Sequence, residues 1–256
     1  MKIVFHEKFY IANYSMDPAA SPGRIKSIMN KLKENKDFEF IIPTPATKED
    51  ILQAHTDRHY RYIEEDPLLC EMATFAAGGA ILAAEEAYNG NPSFAVIRPP
   101  GHHASSDSAW GFCFFNNMSI CLLKLFSEKK IKSAFVLDFD LHTGDGVINI
   151  LKNRDDGFKV EILNPMSSPP KYYINSIKNF MLDLENIDII AACAGFDQGI
   201  EDWGNLLSPN DYTEIGHLMK EYSEKLCNGR RFALLEGGYN HDVLGKNVNA
   251  FCQGFK

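Results

Sequence analysis

Residues 134–146, Ala-Phe-Val-Leu-Asp-Phe-Asp-Leu-His-Thr-Gly-Asp-Gly, run from an unbroken apolar stretch into Asp138, Asp140 and His142 at every second position. A strand that is apolar on both faces belongs inside a parallel sheet covered by helices. Alternate residues of a strand share one face, so this segment aims two carboxylates and one imidazole the same way. They sit at its C-terminal end, where open α/β sheets bind ligands. Asp and His together form a ligand set suited to zinc or another divalent metal. The plainer alternative is a polar strand end whose Asp and His satisfy each other.

The rest of the chain repeats the pattern. Lys2–Phe5, Phe94–Ile97, Ala134–Phe139, Lys159–Leu163, Ile187–Cys193 and Phe232–Leu235 read as strands, most of them near-continuously apolar. Helical periodicity fills the intervals at Arg24–Asn35, Thr74–Tyr88, Asn116–Lys129, Pro209–Cys227 and His241–Phe255. Gly78-Gly79 would allow close packing, and Ser208-Pro209 is an N-cap followed by Pro at the first helical position. Alternation of this kind predicts an α/β three-layer αβα sandwich on a central parallel sheet. At 256 residues, with no repeat, low-complexity tract or linker, residues 1–256 read as one domain. The Pro-rich stretch 164–171 reads as a loop on the rim of a site.

A net charge of −8 disfavours nucleic acid as a partner and is compatible with a cationic substrate. The N-terminus does not read as a signal peptide, because charges interrupt any apolar run. No stretch reads as the roughly 18–20 uninterrupted apolar residues of a membrane span. Cys70, Cys113, Cys121, Cys193, Cys227 and Cys252 are scattered without a Cys-x-x-Cys pair. They read as reduced thiols of a cytoplasmic protein and as poor metal ligands.

Three more segments carry chemistry at strand ends. Arg98-Pro-Pro-Gly-His-His-Ala104 follows the Phe94–Ile97 strand; its prolines stop that strand, and Gly101 admits an unusual backbone angle before His102 and His103. Ala194-Gly-Phe-Asp197 supplies a third carboxylate, and Glu236-Gly-Gly-Tyr239 a phenol on a Gly-rich turn. Trp110-Gly-Phe-Cys-Phe-Phe-Asn-Asn117 is either core packing or an apolar slot for an aliphatic chain. Singly each is an ordinary turn or loop; jointly they describe one active site.

RPPGHHA, GFCFFNN, DFDLHTGDG, AGFD and EGGY, in this order, resemble the histone deacetylase and acetylpolyamine amidohydrolase superfamily, over about Arg24–Tyr239. The resemblance implies the arginase–deacetylase fold, with a parallel sheet of about eight strands. It implies that Asp140, His142 and Asp197 ligate zinc, with iron(II) as the alternative, and leave a position open for water and substrate. His102 and His103 match the tandem histidines that handle protons, backed by Asp138 and Asp145. Tyr239 matches the tyrosine that polarises the substrate carbonyl. Gly111, Phe112 and Gly238 match substrate-binding positions, and Arg24 an arginine near an inner channel. The implied reaction is hydrolysis of an N-acylated amine, acetyl-lysine or an acetylpolyamine, by metal-activated water.

The sequence departs from that pattern in places. Thr143 stands where a second histidine often follows the ligand, and only 54 residues separate His142 from Asp197. The stretch 64–72 is short for the acidic rim loop of eukaryotic relatives, and the Pro-Gly-Thr-Gly rim motif is absent. The serine of a monovalent-cation site is missing near Ile162, which leaves a K⁺ site open. Shortened rims imply a shallow mouth, and the oligomeric state stays unspecified. Two other readings remain: a two-metal ureohydrolase of the same fold, or a non-catalytic acyl-amine binder. The ureohydrolase pattern needs a carboxylate two positions after the histidine, whereas Asp145 follows His142 by three.

Overall fold

The computed structural model of the protein describes residues 1–152, 154–166 and 168–256. In chain order its elements are β1 (Lys2–Val4), α1 (Gly23–Leu32), β2 (Glu39–Ile41), α2 (Lys48–Ile51), α3 (Asp57–Glu64), α4 (Pro67–Tyr88), β3 (Ser93–Ala95), α5 (Asn117–Ser127), β4 (Ser133–Asp138), α6 (Asp145–Leu151), β5 (Lys159–Leu163), α7 (Pro170–Leu182), β6 (Ile190–Ala194), α8 (Pro209–Cys227), β7 (Arg231–Leu235) and α9 (His241–Phe255). All strand pairings are parallel, in the order β2-β1-β3-β7-β6-β4-β5. The α/β sandwich is as expected, but the sheet has seven strands among the described residues, not about eight. At the β5 edge the residues alternate between half-buried and exposed, as on a strand with one neighbour.

The sheet order makes the site. β3, β7, β6 and β4 are consecutive neighbours, and each carries one of the chemistry-bearing segments at its C-terminal end. Ala95 pairs with Leu234, Leu234 with Cys193 and Cys193 with Asp138, so the four ends lie level across the sheet. α4 packs on β1, β3 and β7 and against α5, while α8 packs on β6 and β7 and against α7 and α9. Side-chain alternation then separates chemistry from core. Asp138 and Asp140 face the site, and Phe139 between them packs against Phe196 and Phe251, with centroids 5.7 and 5.3 Å away.

Several elements differ from the sequence reading. β2 is an unanticipated edge strand of three partly exposed residues. α2 and α3 fall where the sequence analysis assigns no element; each is N-capped, by Thr47 and Thr56, and each is short and strongly charged. α4 begins seven residues earlier than predicted, at Pro67 behind the capping side chain of Asp66. The rim loop predicted at 164–171 ends sooner, because Pro169 caps α7 and Pro170 opens it; Ser167 within that stretch lies outside the described residues. α4 is long and apolar enough by length and composition to cross a membrane, but Glu71, Glu85 and Glu86 interrupt it and 61% of its most apolar window is buried inside the protein.

Candidate active site

The histidine loop is held from several sides. The buried Arg98 guanidinium donates to the carbonyls of Phe9 (3.2 Å), Ala12 (2.7 Å) and Ala20 (2.6 Å), tying the segment before α1 to the loop. Gly101 is required for space, not for an unusual angle: a Cβ there would lie 2.6 Å from the Asn117 nitrogen and 2.7 Å from the Phe115 oxygen. Both histidines line one cavity. His102 Nδ1 lies 3.1 Å from Asp138 Oδ2, and His103 Nδ1 lies 2.7 Å from Asp145 Oδ1. Each imidazole therefore has a carboxylate fixing its orientation. Burial, with His102 alongside, pushes His103 down to about 4, so its ring is neutral near pH 7.

Asp140, His142 and Asp197 converge, with ligand atoms all within 4.8 Å of one another. His142 Nδ1 lies 3.2 Å from Asp140 Oδ1 and 3.3 Å from Asp197 Oδ2. Asp197 Oδ1 accepts from the Leu141 N–H at 3.0 Å, but buried Oδ2 receives no hydrogen bond among the described residues. The Gly237 N–H donates to Asp140 Oδ2 at 2.8 Å. Burial, with Asp140 beside it, pushes Asp197 up to about 7, and the two carboxylates raise His142 to about 10. Two buried carboxylates with an unsatisfied oxygen beside an imidazole fit a divalent cation by charge and donor type. A second group, His102, Cys113 and Glu236, also brings ligand atoms within 4.8 Å, fully inside the protein. It includes a cysteine that the sequence reading set aside.

Tyr239 stands across the cavity. Its N–H, and that of Asn240, donate to Asp202 Oδ2 at 2.8 and 2.9 Å. Burial, reinforced by Asp140, raises its pKa, so the phenol stays a hydrogen-bond donor. Arg24 lies behind it: Nε donates to the Gly238 carbonyl at 2.5 Å, Nη2 to the Glu236 carbonyl, and the guanidinium sits 5.3 Å from the Tyr239 ring centroid. Gly238 itself does not line the cavity; Gly237 does. Gly238 adopts φ +119°, where a Cβ would meet Leu244 at 2.6 Å.

The cavity measures about 160 Å³, and Phe112, Gly111, Trp110 and Trp203 form its mouth with Ala19. Trp110 stacks on His103 (3.6 Å, 28°) and donates from Nε1 to Asp145 Oδ2 at 3.0 Å. Gly111 and Phe112 both have positive φ, 61° and 59°; the second is unusual for a bulky side chain. That turn delivers the phenyl ring to the cavity. Trp203 escaped the sequence reading: it lies in the Asp-Trp-Gly loop six positions after Asp197, and nothing local links it to Tyr239. Clefts of about 580 and 610 Å³ adjoin the mouth, one beyond Trp110 and Phe112, the other beyond Trp203 and Tyr239.

Residues 66–168 match the histone deacetylase domain. The probable deacetylase of Archaeoglobus fulgidus is 30% identical over 291 aligned residues, covering 93% of this chain and 81% of the relative. The probable deacetylase of Methanothermobacter thermautotrophicus is 28% identical, covering 98% and 90%. The crystal structure of the HDA15 HD domain shares the fold, with a TM-score of 0.83 at 22% identity over 100% of this chain and 90% of the other. Fold and relatives define an arginase–deacetylase-fold hydrolase acting on amide bonds. The chain belongs to the histone deacetylase family.

Proposed function

We propose that the protein is a zinc-dependent deacylase that removes an acetyl or other acyl group from an N-acylated amine such as acetyl-lysine or an acetylpolyamine. In this reading Asp140, His142 and Asp197 hold the metal, and iron(II) is the alternative occupant. The observation that carries the reading is one small cavity lined together by His102, His103, His142 and Tyr239, with an unsatisfied Asp197 oxygen beside them. When bound, the metal supplies Lewis acidity that makes water a nucleophile near neutral pH. His103, neutral and oriented by Asp145, takes the proton as water oxygen bonds to the acyl carbon, and returns it to the amine as the C–N bond breaks. His102, its Nδ1 3.1 Å from Asp138 Oδ2, is held by that carboxylate beside the reacting centre. The Tyr239 hydroxyl donates to the oxygen that gains negative charge. Phe112, Trp110 and Trp203 enclose the chain that leads to the amide.

Asp145 disfavours the ureohydrolase reading, because its carboxylate is taken up by His103 and Trp110 and is not directed at the Asp140–His142–Asp197 group. The test is turnover of zinc-loaded protein on an acetyl-lysine peptide, N-acetylputrescine, N-acetylspermidine and a longer acyl-lysine, with metal content measured on the same sample, with and without added K⁺. Turnover at one metal per chain is the expected result, and the ranking names the substrate. Two metals per chain would favour the ureohydrolase; no turnover at one metal would favour a binder.

A further inference from the structure

Glu236 is fully buried at the end of β7, and none of the steps above uses its side chain. Oε2 accepts from the backbone N–H of Gly101 at 2.8 Å and of His102 at 3.2 Å, while Oε1 makes no hydrogen bond among the described residues. Burying a carboxylate is costly, and only hydrogen bonds from neighbouring donors offset that cost. Here those donors are backbone amides. The loop runs irregularly through the protein interior, where unpaired amides are destabilising. The His102 carbonyl accepts from the Val147 N–H of α6 at 3.1 Å, so this one residue is gripped on both sides of its side chain. The absent Cβ of Gly101 lets the same loop lie directly on the Phe115–Asn117 backbone.

We propose that Glu236 is a positioning residue: its carboxylate clamps the Gly101–His102 backbone so that the His102 and His103 rings face the cavity. It acts through the histidines and touches no substrate. This rests on the deacylase reading given above. A misplacement of about 1 Å in reacting groups can cost about a hundredfold in rate.

Wild type, Glu236→Gln and Glu236→Ala are compared for kcat, KM and bound metal, and again in a Trp203→Phe background, where Trp110 is the one remaining tryptophan of two. Trp110 stacks on His103, so its emission reports the loop whether or not the protein turns over. Glu236→Ala should lower kcat about a hundredfold, leave metal content intact and alter Trp110 emission. Its KM should change by less than about threefold. Glu236→Gln keeps an acceptor oxygen and should restore kcat and emission together. Unchanged kcat and emission in Glu236→Ala would overturn the clamp, as would a Gln variant as impaired as Ala or an effect confined to KM. Loss of a second bound metal in Glu236→Gln would also overturn it, in favour of an ion held with His102 and Cys113. If Glu236→Ala does not fold, Glu236→Asp, one methylene shorter, is read the same way. Failure of both to fold would make Glu236 a structural group and end the proposal. A wild type inactive on every acyl amine counts against the deacylase reading alone, since Trp110 emission still decides the clamp.

Discussion

Trp203 lies across the ring of Tyr239, centroids 4.0 Å apart and planes inclined at 32°, and meets the His142 ring edge-on at 6.1 Å. The indole is 61% exposed, so its outer face forms part of the rim while its inner face backs the phenol. Removing it frees Tyr239 to move and widens the mouth. An aromatic pair contributes about 0.5–1.5 kcal/mol beyond its buried area, so Trp203→Ala should reduce kcat/KM by about threefold to tenfold. Trp203→Phe should recover most of it. Steady-state kinetics on the best substrate of the panel checks this, and identical values for wild type and Trp203→Ala would remove Trp203 from the site.

Tyr239→Phe isolates the hydroxyl. The ring can still pack between Trp203 and Arg24, and only the hydroxyl that the proposed reaction uses as oxyanion donor is lost. Loss of one such donor costs about 10²–10³ in kcat. Metal content by elemental analysis should not change. A variant with wild-type turnover would reassign the oxyanion donor to another group.

The strand ends were legible because each is an apolar run that breaks abruptly into charged or Gly-rich residues, a pattern with few physical solutions. What placed them together was not. Glu236 reaches the Gly101 amide only because β7 lies beside β3, and pairing order between strands more than a hundred residues apart leaves no local trace. Trp203 was hidden for the same reason, its partner Tyr239 being on another loop. β2 was missed because three residues at a sheet edge show no clear alternation. α3 was missed because, apart from Tyr60 and Ile63, its buried face includes His59, in a sequence dominated by charge. Arg98 read as part of a loop motif, yet three carbonyls surround its guanidinium. Its guanidinium also lies over the Tyr14 ring, 4.6 Å from the centroid, and an interior arginine held by carbonyls and a ring face has no sequence signature.

Gly237→Ala tests the proposed metal group without altering any of its three side chains. A Cβ on Gly237 would fall 2.5 Å from Asp140 Oδ2 and 2.8 Å from Asp197 Oδ2, so one or both carboxylates must turn away. The glycine is not needed for a positive φ, so the backbone tolerates the change and the effect falls on the two carboxylates. Bound metal should drop well below one per chain, with turnover falling in proportion. Full metal occupancy in Gly237→Ala would show that the cradle is looser than its geometry indicates.

His55 links acid stability to the loop beneath the site. Its ring stacks on His59 (4.9 Å, 25°), and its Nε2 accepts from the Asn116 N–H at 2.8 Å. Asn116 in turn caps α5 and donates from Nδ2 to the Ala104 carbonyl at 2.7 Å. Burial, with His59 nearby, pushes His55 from 6.5 down to about 3. Between those values the unfolded chain binds a proton on His55 that the native protein refuses, so stability is full above pH 6.5 and falls as the pH drops. Each unit in that window costs about 1.4 kcal/mol. His55→Gln can still accept the Asn116 N–H but does not titrate. Urea unfolding at pH 7 and pH 5 should show a loss in the wild type that is larger than in His55→Gln by about 2 kcal/mol. Equal losses would mean that His55 is already protonated, or already exposed, in the native protein at pH 5.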